Sequence, residues 1–201
     1  MVMNYRIYKG TFNIPAERDF LAKIREIAES ESLYIVFFNR SAIAGCDHIR
    51  AALSFAERSF FEYRKPVSNF FEMEVLLYTL GTRQTGIASG FGIHKGQNDS
   101  VILICRREKE PEEGSRTAAE SFEDAANRAA AGISSLEERT GTEPRPLTGE
   151  RCLETFENRS GEEISRLAEI FSIGPEEIKM CGKNRIEELV IERCSLLDVN
   201  K

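Results

Sequence analysis

The fold of this chain is decided around the stretch Leu33-Tyr34-Ile35-Val36-Phe37-Phe38, in which no polar residue interrupts six apolar or aromatic ones. A run of this kind, rich in β-branched and aromatic side chains, predicts a strand that is buried on both faces. We expect such a strand to lie inside a sheet that helices cover, which indicates an α/β fold.

Helical patterns lie on both sides of this strand. Pro15 begins the first helix, whose apolar face repeats at helical spacing (Phe20, Leu21, Ile24, Ile27 and Ala28). Asp47 is a candidate N-cap for a second helix, which runs to about Tyr63. The central strand therefore has one helix before it and another after it.

The rest of the chain adds short strands and further helices. Ser68 is a candidate cap for a third helix that Gly81 ends, and residues 83–91 predict a short fourth one. Residues 5–8 and 101–105 predict strands, the latter after a turn at 94–99. Helical patterns return after residue 160. The sequence predicts a single α/β domain over residues 1–201, with a small mixed sheet packed with several helices.

Residues 108–150 differ from the rest in charge and composition. The chain has a net charge of −6, and residues 108–158 carry 13 Asp and Glu against 6 Lys and Arg. Linkers rich in Glu, Pro and Gly flank small side chains at helical spacing. We expect an acidic insertion at 108–150, either a weakly packed surface helix or a disordered segment, and we expect it to be dispensable.

The cysteines and the apolar runs bear on the compartment of the protein. The five cysteines are odd in number and form no CxxC pair (Cys46, Cys105, Cys152, Cys181 and Cys194). They predict reduced, mostly buried thiols, with a redox role as the alternative. No apolar run is long enough to span a bilayer, and the first residues lack the apolar core of a signal peptide. We therefore expect a cytoplasmic protein without a membrane partner.

Residue types that carry catalysis are sparse. The two histidines, His48 and His94, are 46 residues apart and have no cluster of acids or thiols at metal-ligand spacing. Glu72 and Glu74 point to different faces of a helix, so they are not an acid/base pair. The glycines of residues 86–92 lack the Lys-Ser/Thr of a phosphate loop, and a short helix ending at glycine explains them better. The sequence predicts no catalytic, cofactor-binding or metal site.

Basic and aromatic residues mix near the end of the second helix. Phe60, Phe61 and Tyr63 lie among cations that continue into nearby turns (Arg58, Arg64, Lys65, Arg83 and Lys95). Aromatic rings stack on unpaired bases and cations contact phosphates, so this pattern suits single-stranded nucleic acid. Core aromatics beside ordinary solvated arginines are the alternative.

The last residues of the sequence are unusually apolar. Each exposed large aliphatic side chain forfeits about 1.5–3 kcal/mol of burial, so this stretch is expected to pack on the core or on a partner. Seven-residue spacing predicts that Leu189 and Leu196 face inward. The outward residues of this helix are then predicted to form a partner-binding patch with one residue of the short fourth helix (Ile87, Val190, Ile191 and Leu197).

Two groups of motifs together resemble one known family. The first group spans residues 43–84 and the second is the ending, residues 188–199 (Ile43-Ala44-Gly45, His48, Met73-Glu74-Val75-Leu76-Leu77-Tyr78, Gly81-Thr82-Arg83-Gln84, and Glu188-Leu189-Val190-Ile191-Glu192-Arg193-Cys194-Ser195-Leu196-Leu197-Asp198-Val199). They resemble the small kinase-associated subunit of the KEOPS tRNA-modification complex, the Cgi family, called PRPK-binding protein in animals. The resemblance covers about residues 5–105 and 160–201.

The resemblance implies a non-catalytic subunit with a mixed α/β fold and no cofactor. Such subunits bind the lobe of a small kinase-like ATPase and contact the single-stranded 3′ CCA end of tRNA. They support the threonylcarbamoyladenosine modification of tRNA, which another subunit carries out. The family usually has a larger aliphatic residue where this chain has Thr85, so Ile87 is expected to supply part of the kinase-facing surface.

Two other functions stay open at the level of sequence. A small-molecule or nucleotide-binding α/β enzyme would use the glycine-rich residues 86–96 and His94. A protein-interaction domain unrelated to tRNA would bind a partner without any effect of nucleic acid. True ligands stabilise the native state by mass action, so thermal shifts with nucleotides and with tRNA separate these functions.

Overall fold

The computed structural model describes residues 3–107, 121–136, 145–146, 150–156, 159–182 and 185–199. A 3-10 turn follows the second strand (Arg40–Ala42), and a π-helical turn follows the second helix (Arg58–Glu62). The other elements follow one another in chain order (β1 Met3–Ile14, α1 Glu17–Ser30, β2 Tyr34–Asn39, α2 Cys46–Glu57, α3 Phe71–Leu80, α4 Thr85–Ser89, β3 Gly96–Arg107, α5 Phe122–Ser135, β4 Arg145–Pro146, α6 Glu150–Phe156, α7 Gly161–Ile170, α8 Pro175–Cys181 and α9 Ile186–Val199).

The chain divides into two compact units. The first combines Met1–Phe37 with His94–Pro146, and the second combines Phe38–Ile93 with Leu147–Lys201. The sheet belongs mainly to the first unit, whereas α2, α3, α4 and α6 to α9 belong to the second. The fold class predicted from the sequence, an α/β protein with a small sheet and several helices, is confirmed.

The sheet has the strand order β2-β3-β1-β4. Its centre is the antiparallel pair β1 and β3, which runs in register from Met3 opposite Arg107 to Ile14 opposite Gly96. β1 also pairs antiparallel with β4. The two central strands are both 12 residues long. They extend beyond the predicted ranges 5–8 and 101–105, because residues 9–14 of β1 continue the antiparallel ladder with residues 96–101 of β3.

The turn predicted over residues 94–99 is shorter than expected, because β3 already begins at Gly96. Asn98, a polar residue, is buried in this strand. Its Nδ2 donates to the carbonyl oxygens of His94 at 2.7 Å and Gly96 at 2.8 Å, and its Oδ1 accepts from the His94 N–H at 2.9 Å. A side chain that satisfies its own local backbone in this way can occupy a buried strand position.

β2 is buried as predicted but occupies a different place in the sheet. Its residues 35–38 are all buried, which confirms the burial expected for this stretch. The interior position predicted for it is wrong, since β2 stands at one end of the strand order. A continuous apolar run reports that both faces of a strand are covered. It carries no information about hydrogen-bonded neighbours along the sheet.

Helix α5 lies within the predicted insertion and packs on α1 and β3. One face of α5 is buried (Phe122, Ala125, Ala126, Ala129, Ala130 and Ile133). The expectation of a weakly packed or disordered segment is therefore wrong for this helix, while the expectation that residues 108–150 are dispensable stays a prediction. Its small side chains permit close approach, as at Gly132, where an added Cβ would come within 3.3 Å of Ile27. Residues 108–120, 137–144 and 147–149 lie outside the described residues.

The second unit is built on α2, α3 and α9, which pack on one another. Gly81 ends α3 as predicted, in the left-handed conformation with φ 59°. A Cβ at this position would lie 3.4 Å from the Cα of Cys194 in α9. Glycine therefore serves both the turn and the close approach of two helices.

A disulfide between Cys46 and Cys152 joins α2 to α6 in the second unit, with 6.3 Å between the Cα atoms. The prediction that all cysteines are reduced is wrong for this pair. The two residues are 106 positions apart, and sequence spacing cannot reveal a pairing of that range. Cys105 and Cys194 are buried as predicted, and Cys181 is half-buried.

Candidate nucleic-acid interface

Residues 63–70, here named the 63–70 loop, connect the π-helical turn to α3 and expose large apolar side chains. Tyr63 is 57% exposed and Phe70 is 66% exposed, and Val67 is exposed as well. Arg64 and Lys65 in the same loop are also exposed. The loop therefore presents two aromatic rings together with two cations, the combination that binds unpaired bases and phosphates.

The backbone of the 63–70 loop is closely determined. Arg64 has φ 52°, in the left-handed region that residues other than glycine seldom adopt. The N–H of Tyr63 donates to the carbonyl of Arg58 at 2.8 Å, and the N–H of Lys65 donates to the carbonyl of Ser59 at 3.1 Å. Such a conformation persists where the surrounding contacts over-determine it. The main-chain path through Arg64 is therefore held by hydrogen bonds of the residues on both sides of it.

The aromatic residues of this region divide into a packed and an open group. Phe60 and Phe61 are half-buried, and their rings lie 5.6 and 5.0 Å from that of Phe71, measured between centroids. The ring of Tyr63 is exposed to solvent, as stacking on a nucleic-acid base requires. The sequence did not single out Phe70. Helix α3 begins at Phe71, whose side chain is buried, and Phe70 lies just before the helix with its side chain exposed.

The structure brings together only part of the five cations predicted to bind tRNA. Arg64 and Lys65 share the 63–70 loop. Arg58 is half-buried and lies over a phenylalanine ring, with 5.1 Å between the guanidinium carbon and the ring centroid. Arg83 is exposed, and its Nη2 reaches a main-chain carbonyl of α9 at 3.5 Å. Lys95 belongs to the first unit, where its N–H donates to Glu17 at 2.8 Å.

The residues predicted to bind the kinase-like partner differ in accessibility. Ile87 in α4 is 47% exposed, as expected for a contact residue. The outward orientation predicted for Val190 and Leu197 is wrong, because both are buried within the chain. Ile191 is half-buried. Leu196, predicted to face inward, is 44% exposed.

The cause of this error is the number of neighbours around α9. The helix packs on both α2 and α3 and also contacts α7. Leu189 is buried as predicted, and the adjacent Val190 is buried too. A helix covered on more than one side has no single apolar stripe, so seven-residue spacing does not separate inward from outward positions.

His48 is a buried hydrogen-bonding node at the start of α2. The N–H of Ala44 donates to Nδ1 at 3.1 Å, so the ring proton lies on Nε2, which donates to the carbonyl of Thr79 at 2.8 Å. The Sγ of Cys194 lies 3.5 Å from Nε2 and donates to the same carbonyl at 3.3 Å. The ring thus ties α2 to α3.

His48 and Cys194 are not arranged as a nucleophile and its base, although they touch. The Nε2 atom facing the thiol already carries the ring proton, and Nδ1 is occupied by a main-chain donor. Burial lowers the pKa of His48 to about 4 and raises the pKa of the Cys194 thiol to about 12. A thiol in such an apolar setting is unreactive, because the thiolate is the nucleophilic form.

The first turn of α2 is capped from α9, not by the predicted Asp47. The Oε1 of Glu187 accepts from the N–H of His48 at 2.8 Å. Its carboxylate fills the space beside Gly45, where any Cβ would overlap it. Burial raises the pKa of the Glu187 carboxyl. The Ile43-Ala44-Gly45 motif with His48 is therefore explained by packing at one helix end.

The glycine-rich residues 86–92 form the short helix that was predicted and not a loop between a strand and a helix. α4 runs over Thr85–Ser89, and Gly90 is its C-cap. The N–H groups of Ile87 and Ala88 donate to the carbonyl of Gln84, both at 3.0 Å. These donors are engaged within the turn, unlike the free donors of a phosphate-binding loop.

Within the ranges that the structure describes, no group of three His, Cys, Asp or Glu side chains could hold a metal ion. Over the same ranges, no helix is both long and apolar enough to cross a membrane. No protein-family model matches the chain, and no curated protein matches it in sequence.

Proposed function

We propose that this chain is a non-catalytic, cytoplasmic subunit of a KEOPS-type complex. In this proposal the 63–70 loop binds the single-stranded 3′ CCA end of tRNA. A separate surface that includes Ile87 binds the kinase-like ATPase of the complex, and the threonylcarbamoyladenosine chemistry belongs to another subunit.

The observation that carries the proposal is the exposure of Tyr63 and Phe70 beside Arg64 and Lys65. Aromatic side chains of this size are usually buried, and leaving them in water forfeits a favourable free energy of transfer. Bases are flat and offer a π-face whatever their identity, so a stacking surface with adjacent cations suits the end of an RNA strand.

The motif resemblance adds the identity of the RNA and of the protein partner. Met73-Glu74-Val75-Leu76-Leu77-Tyr78 and Gly81-Thr82-Arg83-Gln84 resemble the Cgi family, and they lie in α3 and in the turn that follows it. This segment directly follows the 63–70 loop and leads into α4 with Ile87. The resemblance and the exposed residues therefore point to the same part of the chain.

We expect substitutions in the 63–70 loop to weaken tRNA binding. Phe70→Ala should raise the Kd for a tRNA transcript roughly 5- to 100-fold, the usual effect of removing one stacked ring. Lys65→Glu should raise the Kd and reduce the slope of log K against log salt by about one or more, because phosphate contacts that release counterions are lost. Fluorescence anisotropy at several salt concentrations measures both.

Matched variants separate this site from general effects. Met180→Ala removes an apolar side chain that is even more exposed than Phe70, and Lys179→Glu makes the same charge change as Lys65→Glu. Both positions lie in α8 of the second unit. Neither should alter tRNA affinity. Removal of CCA from the tRNA should weaken binding to the wild type and have little further effect on Phe70→Ala. Unchanged affinity after both loop substitutions would exclude tRNA as the ligand of this loop.

The kinase-facing surface is tested at Ile87. Ile87→Asp should reduce co-purification of the co-expressed kinase-like ATPase about tenfold or more, because a charge would be placed in an apolar contact. Leu21→Asp is the control, since Leu21 has nearly the same exposure and lies in the first unit. Circular dichroism should report a folded chain for both. Equal co-purification of the two variants would remove Ile87 from the interface.

A further inference from the structure

Glu74 is a fully buried acid in α3. It accepts hydrogen bonds from the π-helical turn before the 63–70 loop and from the second half of the loop itself. Its Oε1 accepts from the hydroxyl of Ser59 at 2.7 Å. Its Oε2 accepts from the N–H groups of Val67 and Ser68, each at 2.9 Å. A single carboxylate thus joins the π-helical turn before the loop to the main chain in its second half.

These contacts account for the shape of the loop. Val67 and Ser68 donate to Glu74, so their N–H groups require no partner in a helix or sheet. Ser59 also accepts from the N–H of Lys65 through its carbonyl, at 3.1 Å. Arg64 and Lys65 are therefore held between two anchored points. Tyr63 and Phe70 stand at the two ends of the same segment.

We infer that Glu74 is a positioning residue for nucleic-acid binding: it touches no ligand but holds the 63–70 loop in the conformation that displays its rings and cations. The inference rests on the proposed function of that loop. It assigns to a buried glutamate a role in affinity that is exerted through main-chain hydrogen bonds. Removing the acceptor leaves the buried N–H of Ser68 and the part-buried N–H of Val67 unsatisfied, and the loop is then expected to leave this conformation.

The test compares two substitutions of Glu74. Glu74→Met keeps the approximate volume and removes both acceptor oxygens. Glu74→Gln keeps one acceptor oxygen for Val67 and Ser68, and its amide can donate to the hydroxyl of Ser59, which accepts as well as donates. Hydrogen exchange of the amides of Val67 and Ser68 measures whether the loop keeps its hydrogen-bonded conformation. The Kd for a tRNA transcript measures binding.

We expect Glu74→Met to raise the exchange rates of these two amides about tenfold or more and to raise the Kd about tenfold, with a smaller salt slope. Glu74→Gln should stay within about twofold of the wild type in both measurements. Val75→Ala is the control for loss of stability, since it truncates a buried side chain of the same helix that takes no part in these hydrogen bonds. It should lower the Tm and leave the Kd unchanged.

Three outcomes would overturn the inference. Wild-type exchange rates in Glu74→Met would show that the carboxylate does not hold the loop. Fast exchange with an unchanged Kd would show that the loop conformation does not matter for binding. A Kd raised equally by Val75→Ala would assign the effect to stability. If Glu74→Met does not fold, Ser59→Ala removes one donor of the same carboxylate and should give a smaller change in the same direction.

Failure of the proposed function gives a different result. A wild-type chain that does not bind tRNA would overturn that function, together with the effect of Glu74 on affinity. The exchange rates of Val67 and Ser68 in Glu74→Met and Glu74→Gln would still decide whether Glu74 orders the 63–70 loop.

Discussion

Replacing both Cys46 and Cys152 with serine is expected to lower the free energy of unfolding by about 4 kcal/mol. The disulfide closes a loop of 106 residues. Cross-linking a loop on the order of 100 residues lowers the conformational entropy of the unfolded chain, which stabilises the folded state by about 4.7 kcal/mol. Urea denaturation of the oxidised wild type and of the double variant, followed by circular dichroism, measures the difference.

The free thiol Cys181 provides the control for this prediction. Cys181→Ser changes a half-exposed cysteine in the same unit and should alter stability by less than about 0.5 kcal/mol. A reductant should destabilise the wild type but not the double variant. Peptide mapping without reduction should find residues 46 and 152 in one cross-linked species, and their recovery as separate free thiols would contradict the pairing.

Acidification is expected to reduce stability through His48. In the folded chain His48 has a pKa of about 4, whereas an unfolded histidine titrates near 6.5. The unfolded state therefore takes up a proton first, and stability falls as the pH drops from about 6.5 to about 4. Above pH 6.5 the histidine is neutral in both states, so its titration takes nothing from the free energy of unfolding. A shift of this size corresponds to about 3 kcal/mol.

His48→Gln isolates this contribution from other titrating groups. Glu187, Cys194 and Arg159 all lie in the surroundings of His48. Because these groups remain in the variant, the difference in unfolding free energy between the two proteins should shrink by about 3 kcal/mol from pH 7.5 to pH 4. A difference that does not change with pH would show that His48 titrates normally in the fold.

Much of the candidate interface could be predicted from the sequence, because it depends on residues that are close along the chain. Tyr63, Arg64 and Lys65 are consecutive, and Pro66 marks the break after a helix. Their shared exposure follows from their place in a loop. Phe70 and Glu74 could not be assigned in the same way, because their roles depend on where α3 begins and on which way each of its residues faces.

The sequence by itself determined the α/β class, the position of most helices and strands and the end of α3 at Gly81. These features depend on local periodicity, on glycine and proline conformations and on short-range hydrogen bonding, all of which are written into neighbouring residues.

Only the tertiary structure decided the pairing of Cys46 with Cys152, the burial of Val190 and Leu197, the packed face of α5 and the three hydrogen bonds of Glu74. The first three depend on contacts between segments that are distant in sequence or on the number of elements that surround a helix. The hydrogen bonds of Glu74 join residues at most 15 positions apart and depend on which way Glu74 faces on α3. Residue type and spacing constrain such contacts weakly, since the same apolar or polar side chain is stable in either setting once its neighbours are in place.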